Sequence, residues 1–442
     1  MKNIIKNTWH LNLLIGLRFF GLFVVISVLS AYAYSLDGAS ASLVSLAVGG
    51  YAFTQAIFQV PFGVLSDKVN RRFALILGLV VFAIGSVIAG LASNIYLLLL
   101  GRFLQGAGAI GSVVSAMISD FTKEEQRAHA MASMGMLIAF SFVSAMIFGP
   151  IFAGYLGMHN LFYFVASLAV LSIFIVLIFI PEPAKIKYNF EKESSKITDI
   201  FKDKDLTKMY ITFLFHSSTM ATAFFLIPVL LKNRFQLEVV EFWKIYLPAV
   251  IFGMLSMIPS AIFGEKYGKG KEVFLLAIFI TALSFLLMEY SYSLLIFALA
   301  VVLFFVGFNM FEPLLQSYVS KFAKAHQKGA ALGVANTFSY LGMGLGALFS
   351  GKIFEIYGLF GVVMFTLFVS LLWALWIAKM RNPKARQVLY LKHDAFDPEK
   401  INTLNKTNGI IDSYINETEK VLVIKYDKDL ISEKEIKKLI AY

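Results

Sequence analysis

Apolar residues run through this chain in long uninterrupted stretches, with polar residues gathered between them. A helix needs roughly 20 apolar residues to cross a bilayer. Twelve stretches meet that length, at about 11–35, 42–66, 73–92, 97–119, 129–155, 160–181, 207–231, 243–264, 272–290, 293–317, 329–351 and 359–380. Most of the gaps are short. The gap after the sixth run is longer, PEPAKIKYNFEKESSKITDIFKDKDLTK at 181–208, and it divides the runs six and six. Past Arg381 the long runs stop. QVLYL (387–391) alternates like a strand, PEKINTLNK (398–406) reads as a short helix, and GIIDSYINETEKVLVIKY (409–426) reads as a hairpin turning near Asn416–Glu419. SEKEIKKLIAY (432–442) opens on a capping box from Ser432 to Glu435, with Ile436, Leu439 and Ile440 at helical spacing.

The pattern predicts an all-α membrane protein of twelve transmembrane helices in two six-helix bundles, 1–181 and 207–381. A cytoplasmic linker joins them at 182–206, and a small α+β domain follows at 382–442. The tail's order, β-α-β-β-α, is that of a ferredoxin-like domain without its last strand. The two halves also echo each other. AIFGEKYGKGK (261–271) places Glu265 where the first half has Asp67, and Lys266 and Lys269 where it has Lys68 and Arg71. Two parallel repeats are therefore expected, as in repeat-built transporters.

Composition supports this setting. Of 442 residues, 58% are hydrophobic and 15% charged, against about 25% charged in soluble domains. Mean hydropathy is +0.74, more apolar surface than a soluble core can hide. The net charge of +11 raises nucleic acid as a partner, but the placement of the basic residues answers otherwise. Lysine and arginine crowd the loops on the side of the N-terminus. The opposite loops hold Lys232, Arg234 and Lys352, with Lys244 at an edge. This asymmetry predicts a multi-pass cell-membrane (inner-membrane) protein with both termini cytoplasmic and no nucleic-acid partner. There are no cysteines, so disulfides and thiolate metal sites are out. Lys2, Lys6 and the later Ala31-Tyr32-Ala33 imitate a signal peptide, but the run from Leu11 to Ser35 is too long for one and contains Arg18. It reads as a retained first helix.

One stretch changes character abruptly. GGYAFTQAIFQVPFGVLSDKVNRR (49–72) is almost uncharged to Leu65, then delivers Asp67, Lys68, Arg71 and Arg72 within six residues. From Gly63 to Arg72 it resembles motif A of the major facilitator superfamily, G-x-L-x-D-R-x-G-R-R/K. Lys68 stands for Arg and Asn70 for Gly; Asn tolerates a left-handed turn better than most residues, so the turn is expected to persist. RFLQGAG (102–108), with Arg102 and Gln105, resembles the family's R-x-x-Q-G-x-G. Gly149, Pro150 and Gly154 resemble the antiporter motif G-x-x-x-G-P-x-x-G-G, with Ala145 and Ala153 where glycines are usual. Together with LRFFGLF in the first run, FNMFEP in the tenth and the C-terminal domain, these features are similar to the YajR-type branch of proton-driven, drug-efflux-like transporters.

The resemblance implies that Asp67 sits against the N-terminus of the eleventh helix near Gly329–Gly333, with Arg71 near Asp120. A carboxylate there is stabilised by the helix dipole, which makes motif A an inter-half latch. The plainer reading is that these charges only mark topology, although a topology marker needs no aspartate. The resemblance also places helices one, four, seven and ten around a central cavity. Each carries a polar group inside the bilayer: Arg18, Arg102, His216 and Glu312. A charge at the bilayer centre costs about 2.5–3.5 kcal/mol on insertion scales, so such groups serve function or are paired. Glu312 is the only carboxylate well inside a run. Desolvation favours the protonated form of a carboxylic acid, which suits a proton carrier or cation ligand, with Asn309 and Gln316 one turn away on either side. Its structural alternative is a partner for Arg18 or His216. Arg102 either tunes a neighbouring carboxylate or organises packing. His216 reads more readily as a hydrogen-bonded core residue than as a relay. Gln55 and Gln59 lie one turn apart and are candidates to face the cavity.

Other motifs carry little. GAGAIG (106–111) matches a dinucleotide fingerprint but lies inside a membrane run, where glycines serve close packing. GMGLG (342–346) is packing or a flexible point. No Walker A sequence occurs, against ATP-driven pumping. Asn416-Glu417-Thr418 matches a glycosylation acceptor on the wrong side of the membrane. The expectation is a non-enzymatic secondary transporter with no cofactor or metal, a proton gradient as energy source, and small-molecule substrate, protons and lipid as partners. Export of amphiphilic or cationic compounds by rocker-switch alternating access is the main reading. A metabolite symporter, or a sensor signalling through its tail, is the alternative. The tail is expected to modulate transport or to self-associate.

Overall fold

The computed structural model describes residues 2–122, 124–182, 203–323, 328–380, 386–392, 404, 407–416, 421–427 and 430–440. Helices account for nearly all of the membrane part. In the first half they are α1 (Lys2–Ile26), α2 (Leu29–Ala33), α3 (Ala41–Gly49), α4 (Tyr51–Lys68), α5 (Arg71–Gly90), α6 (Ile95–Ala107), α7 (Gly111–Asp120), α8 (Glu124–Leu156) and α9 (Met158–Phe179). The second half has α10 (Lys204–Asn233), α11 (Trp243–Ala261) running into a π turn (Ile262–Lys266), α12 (Gly270–Tyr290), α13 (Leu294–Phe322) and α14 (Lys328–Ala378). Three predicted spans, the first, second and fourth, are therefore each interrupted: at Ser27–Val28, at Gly50 and at Gly108–Ile110.

Among the described residues eleven helical stretches are long and apolar enough to cross a membrane. The last, Gly329–Ala378, has 50 residues, far beyond one span. Gly358 breaks it with φ 66°, a left-handed conformation that favours glycine. Split there, the count is the predicted twelve. Gly342, Gly344 and Gly346 stay helical and pack on Leu214, Phe53 and Ser218. The flexible-point alternative for that stretch gives way to packing.

Termini and loops alternate between two ends of the bundle. We call the end bearing the N-terminus the near side. The hydrophobic core differs between the ends. Near-side core residues form two separate clusters, one in the first half from Leu11 to Ile180 and one in the second from Leu206 to Met380. On the far side a single cluster from Leu22 to Val363 joins both halves. Ile57, Val60, Ile258 and Phe263, by contrast, are exposed.

The tail contains β1 (Arg386–Lys392), β2 (Ile410–Asn416) and β3 (Val421–Asp427) in an antiparallel sheet of order β1-β3-β2. Helix α15 (Glu433–Ile440) follows. Leu404, Leu422, Ile424, Ile431 and Ile436 form its small core. The capping box is present: Glu435 N–H donates to Ser432 Oγ at 3.3 Å, and Ser432 N–H donates to Glu435 Oε2 at 2.8 Å. The backbone and hydroxyl bonds from Ser432 hold the Glu435 carboxyl below its ordinary range. Apart from Leu404, the predicted helix 398–406 lies outside the described residues, as do the turn at 417–419 and most of the linker.

Candidate functional site: a charged near-side cluster and a polar interior

The near-side cluster begins where α4 ends. Arg71 Nε donates to Asp120 at 3.0 Å, and its Nη1 donates to Ser66 at 2.8 Å and to Asp67. The expected Arg71–Asp120 pair is present, tying α5 to α7 within the first half. Asp67 is not on the eleventh helix. Its side chain is 65% exposed and paired with Arg71, while Gly329 and Gly333 have open space where a side chain would project. The latch is thus unmade in this structure, whose near-side cores are separate. Lys68 is exposed, and Gly63 has only Ser112 beside it, at 3.7 Å from the position of a Cβ.

Asn70 also departs from expectation. Its backbone is extended, φ −167°, rather than left-handed. It acts as the N-cap of α5, its Oδ1 accepting from Phe73 N–H at 2.8 Å, which satisfies a donor the helix start leaves open. The carboxylate at a helix N-terminus is Glu182, accepting from Arg71 N–H at 3.0 Å and Arg72 N–H at 3.2 Å. Sequence reasoning missed Glu182; its signal was Pro-Glu-Pro directly after the sixth apolar run. Arg72 Nε donates to Val176 O at 3.2 Å, bracing α5 on α9. In the second half Glu265 pairs with Lys321 and accepts from Ser317 at 2.5 Å, both on α13. Lys269, expected to mirror Arg71, is exposed.

On the far side the two halves are stitched together. Ser45 Oγ donates to Ala347 O at 2.6 Å and lies 3.0 Å from Ser350 Oγ. Lys232 Nζ donates to Ala31 O at 3.0 Å, Tyr246 OH to Ser27 O at 3.0 Å, and Ser42 to Glu355. The antiporter-like residues serve close packing here. Gly149 lets α8 approach the Val24 carbonyl on α1 and Ser27 at the break that follows it, and Gly154 lies against Val240 across the seam. Pro150 lies within α8 between them.

The interior polar groups separate into three situations. Arg102 is fully buried and paired: Nε donates to Ala47 O at 2.9 Å, Nη2 to Val48 O at 3.2 Å and Nη1 to Gln105 Oε1 at 2.6 Å. Gln105 passes the chain on to Ser86 Oγ at 2.8 Å, and the guanidinium lies 4.6 Å from the Tyr51 ring centroid. These are carbonyl and amide partners with no carboxylate among them, and Gln105, itself buried, belongs to the same network. Glu312 is the second situation. Its side chain is 45% exposed and its Oε1 is 4.0 Å from His216 Nε2, too far for a hydrogen bond. His216 instead bonds Phe308 O at 3.1 Å and stacks on the Phe308 ring at 4.0 Å, as a core histidine does. Asn309 turns away, donating to Phe305 O at 2.8 Å beside Gly253 of α11, whereas Gln316 is exposed. The third is Arg18, 2% exposed, whose Nη2 donates to Gly108 O at 2.8 Å. Its Nε and Nη1 have no hydrogen-bond partner, nor does either amide atom of Gln55 or the Oε1 of Gln59. Arg18 is not Glu312's partner.

Two helical halves that share one core on the far side and keep separate cores on the near side, with a carboxylate on a membrane-spanning helix, have the build of a secondary transporter. The chain belongs to the Major Facilitator Superfamily, whose pattern matches residues 11–347 and 249–393. It is 33% identical over 442 residues to the inner membrane transport protein YajR of Escherichia coli K12, covering 98% of this chain and 97% of that protein. It is 26% identical over 364 residues to the quinolone resistance protein NorA of Staphylococcus aureus, covering 78% and 88%. Among solved structures, a bacterial homologue of the human lysosomal transporter Spinster, inward-facing and unoccupied, matches with a TM-score of 0.69 at 16% identity, covering 85% of this chain and 95% of that one. The nucleoside transporter NupG matches with a TM-score of 0.68 at 15% identity, covering 85% and 99%.

Proposed function

We propose that this transporter couples proton entry to the export of small amphiphilic or cationic compounds. The observation that carries the reading is Glu312, a 45% exposed carboxyl with no ion-pair partner at hydrogen-bond distance, placed within a membrane-spanning helix. Such a group binds a proton or a cation, and competition between the two is the simplest basis for antiport. The names of two relatives, an inner membrane transport protein and a quinolone resistance protein, support the inner membrane as location and drug-like molecules as cargo. On this reading the near side is cytoplasmic and the structure is open toward it. The proton gradient is the energy source.

The experiment is efflux of a fluorescent cationic dye from cells expressing the wild type or Glu312→Gln. Efflux should follow an imposed proton gradient, stop when it is collapsed, and be lost in the Gln variant at equal expression. Gradient-driven efflux that survives Glu312→Gln would remove Glu312 from the mechanism.

Motif A takes its latch role in the opposite state, when the near side closes and Asp67 reaches α14. Asp67→Asn should insert normally and slow efflux severalfold; wild-type rates in that variant would reduce the motif to a topology marker. The 1-3-2 order of the tail's strands supports a ferredoxin-like domain short of its last strand.

A further inference from the structure

Arg18 and Gln55 are buried polar side chains with open hydrogen-bonding positions in the interior of the protein. Arg18 lies on α1, 2% exposed, with Nε and Nη1 free of any hydrogen bond; Gln55 lies on α4, 0% exposed, with no partner at full hydrogen-bond geometry and the Tyr340 hydroxyl as its nearest polar neighbour. Among the described residues Arg18 faces no carboxylate. The groups within its electrostatic reach are the phenols of Tyr340 and Tyr51, and Tyr340 is also beside Gln55. Tyr340 comes from α14, so the second half supplies one wall. Gly111, the first residue of α7, supplies another: a Cβ there would sit 3.5 Å from the Gln59 amide nitrogen and 3.9 Å from the Tyr340 hydroxyl. Gln59 Oε1 is also unpartnered. Six residues from α1, α4, α7 and α14 (Arg18, Tyr51, Gln55, Gln59, Gly111 and Tyr340) thus meet in one polar region.

A buried cation with uncovered donors is costly and is normally compensated. Arg102, in the same half, shows full compensation by carbonyls and an amide. Arg18 spends one nitrogen on the Gly108 carbonyl at the break between α6 and α7, and leaves two edges of its fork unused. A guanidinium fork matches the two oxygens of a carboxylate. The site brings a single positive charge, neutral amide and phenol groups, and aromatic neighbours: the Phe82 and Phe19 ring centroids lie 5.5 and 5.8 Å from the guanidinium carbon.

We propose that Arg18 and Gln55 form a subsite for the carboxylate of an organic substrate, so that the transporter prefers amphiphiles bearing a carboxylate as well as an apolar or cationic body. This deepens the export reading and rests on it for the identity of the cavity. Glu312 on the second half then serves the proton or a positive group, and Arg18 on the first half holds the negative one.

The test is equilibrium binding to the purified full-length protein in detergent, using a xanthene dye with a free carboxylate and its methyl ester. The two probes share one aromatic body, so their ratio cancels general damage to the cavity. The wild type should hold the carboxylate form about tenfold more tightly, the scale of one hydrogen bond to a charged group. Arg18→Gln should bring the ratio to about one, and Arg18→Lys should restore part of it. If Arg18→Gln does not fold, Gln55→Ala, which keeps the cation, should still lower the ratio severalfold. A wild-type ratio near one, or a ratio unmoved by these substitutions, overturns the subsite. Binding needs no gradient, so a failure of proton-driven efflux would leave this ratio standing. A ratio of one alongside intact gradient-driven efflux of the ester would sink the subsite alone.

Discussion

Arg18 and Arg102 carry the same charge in the same half, yet one is closed into a network and the other is left open. Rarity in the sequence marked both, because an arginine within an apolar run stands out. Their partners were not legible, since they are the carbonyls of Ala47, Val48 and Gly108, and a carbonyl belongs to every residue. Only the local path of the backbone decides which carbonyls point inward. Removing Arg102 takes a donor from each of the Ala47 and Val48 carbonyls and from Gln105 Oε1. Each orphaned group costs about 1–3 kcal/mol, so Arg102→Ala should lower the melting temperature of the purified protein clearly. Gln105→Leu, which leaves one donor of the arginine unpaired, should cost less; equal melting points for both variants and the wild type would contradict the network. Glu312 was legible for the same reason of rarity. Its separation from Arg18 was not, because hydropathy carries no information about rotation of one helix against another.

At the scale of elements, hydropathy placed the spans and hid their interruptions. Breaks at Ser27–Val28, Gly50 and Gly108–Ile110 fall inside runs whose hydropathy stays high across the break, so no drop in hydropathy announces them. Gly358 is the converse, a single glycine that turns one continuous helix into two spans. Asn70 shows how a motif can be kept by a different device. The family position is glycine, yet here the side chain caps α5 from an extended backbone. The two accounts of Asn70 predict different series. As an N-cap, Asn70→Ala should cost about 0.5–2 kcal/mol and Asn70→Gly only a few tenths. A left-handed turn would instead gain from Asn70→Gly. Thermal stability of the two variants in the same detergent decides between them.

The whole molecule is closed at one end. One hydrophobic cluster bridges the halves on the far side and two separate clusters serve them on the near side, so this closure is built from packing as well as from hydrogen bonds. The division into two similar halves was visible in the sequence through the 181–208 insertion and the echo of Asp67 in Glu265. The state was not, because a sequence that alternates between two arrangements encodes both. The seam offers a clean test, since the chain has no cysteine of its own. The hydroxyls of Ser45 and Ser350 lie 3.0 Å apart, so Ser45→Cys with Ser350→Cys should form a disulfide under oxidising conditions. Transport should stop when the bridge forms and return on reduction. Transport that continues with the bridge fully formed would show that the far-side seam need not open.

The central claim is that Glu312 links substrate movement to proton movement. The most direct measurement is proton flux in proteoliposomes loaded with a pH-sensitive dye, recorded when an exported cationic substrate is added. The wild type should move protons opposite to the substrate, and Glu312→Gln, reconstituted at the same density, should give none. Undiminished substrate-driven proton flux in the Gln variant, or substrate transport by the wild type with no proton movement, would contradict the account.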